Sequence, residues 1–109
     1  MVTGRNGPRW PVRLSVPRRG GWRAWRAVSG DFERRLAGQQ SAAVIAPQIE
    51  GEIRRGKDYV RVAIVMTIAA ADVADAPGFA WRVFRQAAGD DIEGWDMAAV
   101  SAEVRPGGG

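Results

Sequence analysis

The sequence predicts a small α+β protein, a ββαβ sheet with one covering helix, preceded by a basic, partly disordered N-terminal arm in which a short amphipathic helix can form. Three observations carry this reading. Residues 59–68 alternate, with Val60, Val62, Ile64, Met66 and Ile68 on one face, several of them β-branched. In residues 77–88 the period changes, so that Ala80, Val83, Phe84 and Ala87 form one helical stripe while Arg82, Arg85 and Gln86 turn outward. Residues 97–105 return to alternation, with Ala98, Val100, Ala102 and Val104 set against Met97, Ala99, Ser101, Glu103 and Arg105. Strand, helix and strand joined by one short crossover read as a parallel βαβ unit, and a preceding hairpin completes the order.

Taken along the chain, residues 1–21 hold Pro8, Pro11 and Pro17 among Gly4, Gly7, Gly20 and Gly21, a spacing that reads as disorder. Residues 22–37 place Trp22, Trp25, Val28, Phe32 and Leu36 at helical steps, a stripe weakened by Ser29-Gly30. Residues 38–47 read as a linker ending in a short strand at Pro47. Ile49, Gly51 and Ile53 then alternate with Gln48, Glu50 and Glu52, and Arg54-Arg55-Gly56-Lys57 reads as a hairpin turn. The following helix starts best at Pro77, because a start at Asp72 would set the proline inside the helix against the carbonyl of Val73. Gly89 stops it, and an acidic loop over residues 90–96 leads to the last strand. These readings divide the chain into an arm and linker (1–47), an α/β domain (48–106) and a disordered tail (107–109).

Composition narrows the chemistry. The 109 residues contain neither cysteine nor histidine, which removes disulfides, thiolate nucleophiles and the commonest nitrogen ligand and neutral-pH base. A non-catalytic protein without cofactor or metal is therefore expected. No apolar run reaches the ~20 residues of a membrane span, and Arg18-Arg19 is followed by Gly20-Gly21-Trp22-Arg23 where an export signal would turn apolar; cytoplasm is the expected compartment. The charges fall into two unlike parts. Residues 1–35 carry nine arginines against Asp31 and Glu33, which is +7, and with a total of +4 the remainder is −3. A basic arm on a mildly acidic body points to an anionic partner.

Four groups of residues invite a chemical reading. Gly51 to Asp58 approaches the phosphate-binding P-loop pattern, but Asp58 stands where a hydroxyl is needed and a strand, not a helix, follows, so a hairpin turn is expected. Asp90, Asp91, Glu93 and Asp96 lie close together without a calcium-loop spacing or a group to activate, and read as a solvated loop. Trp81 and Trp95 are large for so small a body and read as core or interface packing. The interleaving of Arg9 with Trp10, of Arg18, Arg19 and Trp22 with Arg23, and of Trp25 with Arg26 is the candidate nucleic-acid contact, since guanidinium groups neutralise phosphates and indoles stack on bases.

The run Asp58-Tyr59-Val60-Arg61-Val62 through Ala69-Ala70-Ala71-Asp72-Val73-Ala74, with Trp81-Arg82-Val83-Phe84-Arg85 and Gly94-Trp95-Asp96-Met97, continuing through Glu103-Val104-Arg105-Pro106, resembles small uncharacterised proteins of high-GC actinobacteria. The resemblance implies no activity, cofactor or site residue. The function expected from the residues themselves is association, with a second copy or with another protein. One helix covers one face of the sheet and leaves the other in need of shelter, either from the helix at Trp22 or from another chain, with Tyr59, Val65, Trp95, Met97 and Ala99 as interface candidates. The alternatives are an accessory nucleic-acid binder using the arm and, more distantly, an enzyme centred on residues 90–96.

Overall fold

A computed structural model describes residues 8–105. It has four strands, β1 (Arg9–Arg18), β2 (Val44–Arg55), β3 (Tyr59–Ala69) and β4 (Ser101–Val104), and two helices, α1 (Gly21–Ala37) and α2 (Ala76–Ala88). The sheet order is β2-β3-β1-β4, and every neighbouring pair is antiparallel. The α+β class holds, but the arrangement differs from a parallel βαβ unit. β1 lies between β3 and β4, and β3 lies between β1 and β2, so the chain forms two interleaved split βαβ units, the ferredoxin-like arrangement.

The main correction concerns the arm. Residues 9–21 were expected to be disordered and are instead a central strand and the start of a helix; residues 1–7 and the tail 107–109 lie outside the described residues. β1 runs in register with β3 from Arg9↔Ala69 to Arg18↔Val60. Its alternation is clean: Val12, Leu14 and Val16 are buried among the helices, and Trp10 packs against the same core. The prolines are tolerated because of where their missing donors fall. The carbonyls of Pro11 and Pro17 accept from the amides of Arg105 and Asp96, both at 2.9 Å, on the β4 side. In an antiparallel strand a residue's N–H and C=O point the same way, so neither proline removes a bond to β3. The boundary expected at residue 47 therefore cuts through β2 and separates strands that share one core.

Both helices pack on the same face of the sheet. Trp25, Phe32 and Leu36 from α1 and Ala80, Phe84 and Ala87 from α2 join Val60, Val62, Ile64, Met66 and Ile68 in one core. Trp95 sits at its aromatic centre, with ring centroids 5.2 Å from Trp25, 5.1 Å from Phe32 and 5.0 Å from Phe84. α1 begins at Gly20 and Gly21, both at positive φ, and Gly21 passes so close to the carbonyl of Lys57 that a Cβ would collide with it. The next amide, of Trp22, donates to that carbonyl at 3.1 Å and ties the helix start to the β2–β3 turn.

The elements expected near residues 59–68 and 77–88 are present as β3 and α2, and the hairpin turn falls at Gly56. β2 is longer than expected and carries two bulges, between Ile45 and Gln48 and between Ile49 and Gly51; the first absorbs Ala46, at φ 53°, and Pro47. β4 is shorter than expected. The Asp96 carboxylate accepts from the amide of Ala98 at 3.2 Å and turns Met97–Ala99 into a 3₁₀ segment before the strand begins. The acidic residues 90–96 are likewise mostly 3₁₀, over Gly89–Gly94.

Candidate functional site: the open sheet face

With both helices on one side, no helix among the described residues covers the other face of the sheet. Alternation assigns it Arg9, Pro11, Arg13, Ser15 and Pro17 from β1, Tyr59, Arg61, Ala63, Val65 and Thr67 from β3, Ile53 and Arg55 from β2, and Glu103 from β4. The helix at Trp22, one of the two expected shelters for this face, therefore does not cover it.

Two arginine side chains lie across the strands instead. Arg61 donates from Nε to the hydroxyl of Ser15 at 2.6 Å and from Nη2 to the carbonyl of Ala99 at 3.2 Å, which spans β1 and reaches the segment before β4. Arg13 crosses in the opposite direction to pair with Glu50 at 2.6 Å. That hydrogen bond, with the positive charges of Arg13 and Arg105, holds the Glu50 carboxyl below its ordinary range. The stems of these arginines shade the middle of the face, where Ser15 and Ala63 are buried. Beside them a shallow depression of about 260 Å³ is lined by Pro11, Arg13, Gln48, Glu50, Val65 and Arg105. Towards the hairpin end two large apolar side chains are open beside Arg55, whose guanidinium stands over the Tyr59 ring: Ile53 is 48% and Tyr59 37% exposed.

Of the interface candidates, Tyr59 and half-buried Val65 lie on this face, and Ala99 reaches its edge through the Arg61 bond. Trp95 does not belong to any surface. The isolated bridge Arg18↔Trp95 turns its ring into the core, where it is 1% exposed; Met97 also packs against the core. Arg13, Glu50, Arg61 and Arg105 were missed, because each matters through a partner on another strand and only the register reveals the pairing.

The nucleic-acid candidates are divided by the fold. Trp25 is fully buried, with its indole N–H donating to Glu52, and the indole N–H of Trp10 donates to the carbonyl of Ala70 at 2.9 Å. Arg18 is buried against Trp95 and forms a two-pronged pair with Asp91, at 2.6 and 3.2 Å, while Arg19 lies 3.8 Å from Asp96. These are structural contacts, and they correct the reading of Trp10, Arg18 and Trp25 as ligand contacts. Arg9, Arg19, half-buried Trp22, Arg23 and Arg26 remain at the surface.

The acidic residues are drawn apart by the same bonds: Asp91 faces Arg18, and Asp96 caps the segment after it. Among the described residues no group of three acidic side chains is placed to hold a metal ion, and no helix is long and apolar enough to cross a membrane. No protein-family model, no curated protein and no solved structure matches the chain.

Proposed function

We propose that the protein is a non-catalytic α+β module that works by association, and that the occupant of its open sheet face is a second copy of the chain. The observation that carries this is the placement of both helices on one side of the sheet, which leaves Ile53, Tyr59, Val65, Pro11 and Pro17 facing outward together. The sheet edges are poorly suited to the task. β2 is interrupted by Pro47 and two bulges and carries Glu50, Glu52 and Arg54, and β4 has only four residues.

The face is large enough. An 11-residue β3 at ~3.3 Å per residue and four strands at ~4.8 Å spacing give roughly 500–600 Å² per copy, or about 1,000–1,200 Å² for a pair, the lower end of stable interfaces. Each copy brings Arg9, Arg13, Arg55, Arg61 and Arg105 against Glu50 and Glu103, an excess of positive charge on both sides. A face-to-face dimer should therefore be modest in affinity and tighten as salt screens the repulsion.

Sedimentation of the full chain over a concentration series tests this reading, with Ile53→Lys/Val65→Lys as the disrupting variant. A dimer that strengthens with salt and is abolished in the variant, whose melting temperature matches that of the wild type at concentrations where the wild type is monomeric, is the expected result. A wild-type chain that stays monomeric at high concentration and high salt would overturn it.

A further inference from the structure

At the hairpin end, on the helix side of the sheet, β2 and the first turns of α1 enclose a notch of about 440 Å³ lined by Trp22, Arg23, Arg54 and Lys57. Arg26 borders it: its guanidinium carbon is 6.0 Å from the Trp22 ring centroid, and that of Arg54 is 4.8 Å from it. Arg23, Arg26, Arg54 and Lys57 are all exposed, and none of the ion pairs among the described residues involves them. The nearest acids in sequence are Glu52, which accepts from the indole of Trp25, and Asp58. The notch and its border thus carry four cations, three in the lining and Arg26 beside it, brought together by two segments distant in sequence.

From this we infer that the notch is a docking surface for the phosphate backbone of double-stranded nucleic acid, read without regard to sequence. Its concavity suits a rod of charge better than the flat surface of a bilayer. Arginine on an indole face keeps its outward N–H donors free for phosphate oxygens. The guanidinium groups of Arg54 and Arg26 both stand over the Trp22 ring, so a base stacking there, as in single-strand binders, would have to compete with them. The inference does not depend on the dimer, because the notch and the open face lie on opposite sides of the sheet.

The test is fluorescence anisotropy of the full chain with a labelled 20-base-pair duplex across a salt series. Four phosphate contacts give a slope of about −3.6 in log affinity against log salt, a loss of roughly 150-fold between 50 and 200 mM. Arg54→Gln/Lys57→Gln should halve the slope, leaving a loss of about 12-fold over the same range. Arg82→Gln/Arg85→Gln, on the exposed side of α2, removes the same charge elsewhere and should leave the wild-type slope. Equal effects from the two pairs would mean generic attraction to a basic protein and would overturn the assignment. So would tighter binding to an oligo(dT) of the same length, or binding to phosphatidylserine vesicles with none to the duplex.

Discussion

The Arg18–Asp91 pair yields an asymmetric prediction, because its two ends sit in different surroundings. The Arg18 side chain is 6% exposed and that of Asp91 36%. The guanidinium carbon lies 5.0 Å from the Trp95 ring centroid, Gly94 passes close enough that a Cβ would strike it, and Nε is buried without a hydrogen-bond partner among the described residues. Asp91→Asn keeps an acceptor of nearly the same shape but leaves the cation buried without its counter-charge. Removing one partner of a fully buried pair costs about 3–5 kcal/mol; water reaches this carboxylate, so a discounted loss of about 2–3 kcal/mol is expected. Arg18→Met leaves behind only a carboxylate that solvent can hydrate. It replaces a desolvated and incompletely bonded cation with an apolar chain, and its net cost should be about 0–1 kcal/mol.

In a domain of this size ~1 kcal/mol corresponds to ~4–8 °C, so Asp91→Asn should lower the melting temperature by roughly 10–20 °C and Arg18→Met by no more than about 8 °C. The double variant should resemble Arg18→Met, since the asparagine harms only while the cation is present. Thermal denaturation followed by far-ultraviolet circular dichroism measures all four proteins. An Arg18→Met variant as unstable as Asp91→Asn would refute the argument and show that the guanidinium stabilises the aromatic core by itself.

Gly21→Ala must place a Cβ both at φ 79° and against the Lys57 carbonyl, and should cost at least about 2 kcal/mol in urea unfolding, whereas Gly56→Ala, at φ 63° with open space around it, should cost only about 1 kcal/mol. Glu50 has a folded-state pKa below its unfolded value, so its pairing with Arg13 contributes stability above the ordinary carboxylate range and loses it as pH falls through the lowered value. The melting-temperature difference between wild type and Arg13→Met should therefore be present at pH 7 and shrink on acidification; a difference constant with pH would count against the pair. Val62→Asp sets an unpaired charge at a fully buried position in β3, at a cost of several kcal/mol that approaches the whole stability of a small domain, and a cooperative melt at the wild-type temperature would show the core face to be misassigned.

Local periodicity made β3, α1 and α2 legible, since Val60 to Ile68, Trp25 to Leu36 and Ala80 to Ala87 each follow one period and each packs as that period requires. β1 carried an equally regular signal in Trp10, Val12, Leu14 and Val16. It was hidden because Pro11 and Pro17 interleave with these residues, and proline in a strand breaks the sheet only on the side where its missing donor would have bonded. That side is fixed by the position of β4, some ninety residues later in the chain, and no window of sequence contains it. The sheet order was out of reach for the same reason. The outward positions of Tyr59 and Val65 could be read from alternation, but the arginines that roof the face could not, because Arg13 meets Glu50 and Arg61 meets Ser15 only through the register.

The division of charge along the sequence has a meaning in the fold that composition conceals. Arg13, Arg18 and Arg19 belong to the basic arm, and their partners Glu50, Asp91 and Asp96 belong to the acidic remainder. A segment rich in arginine and a body in surplus of acid are what a chain needs when its first strand must lie in the middle of a sheet completed by its last. Part of the charge that suggested an anionic partner is therefore spent within the molecule. Among the arginines outside these pairs, Arg23 and Arg26 lie on the outward side of a helix whose inward side holds Trp25, and they are joined by Arg54 and Lys57 from a hairpin with no place in the original arginine run. The surface that fits a polyanion is thus assembled by folding from two distant segments, and a variant at Arg54 or Lys57 tests it more sharply than deletion of the arm, which would also remove the central strand.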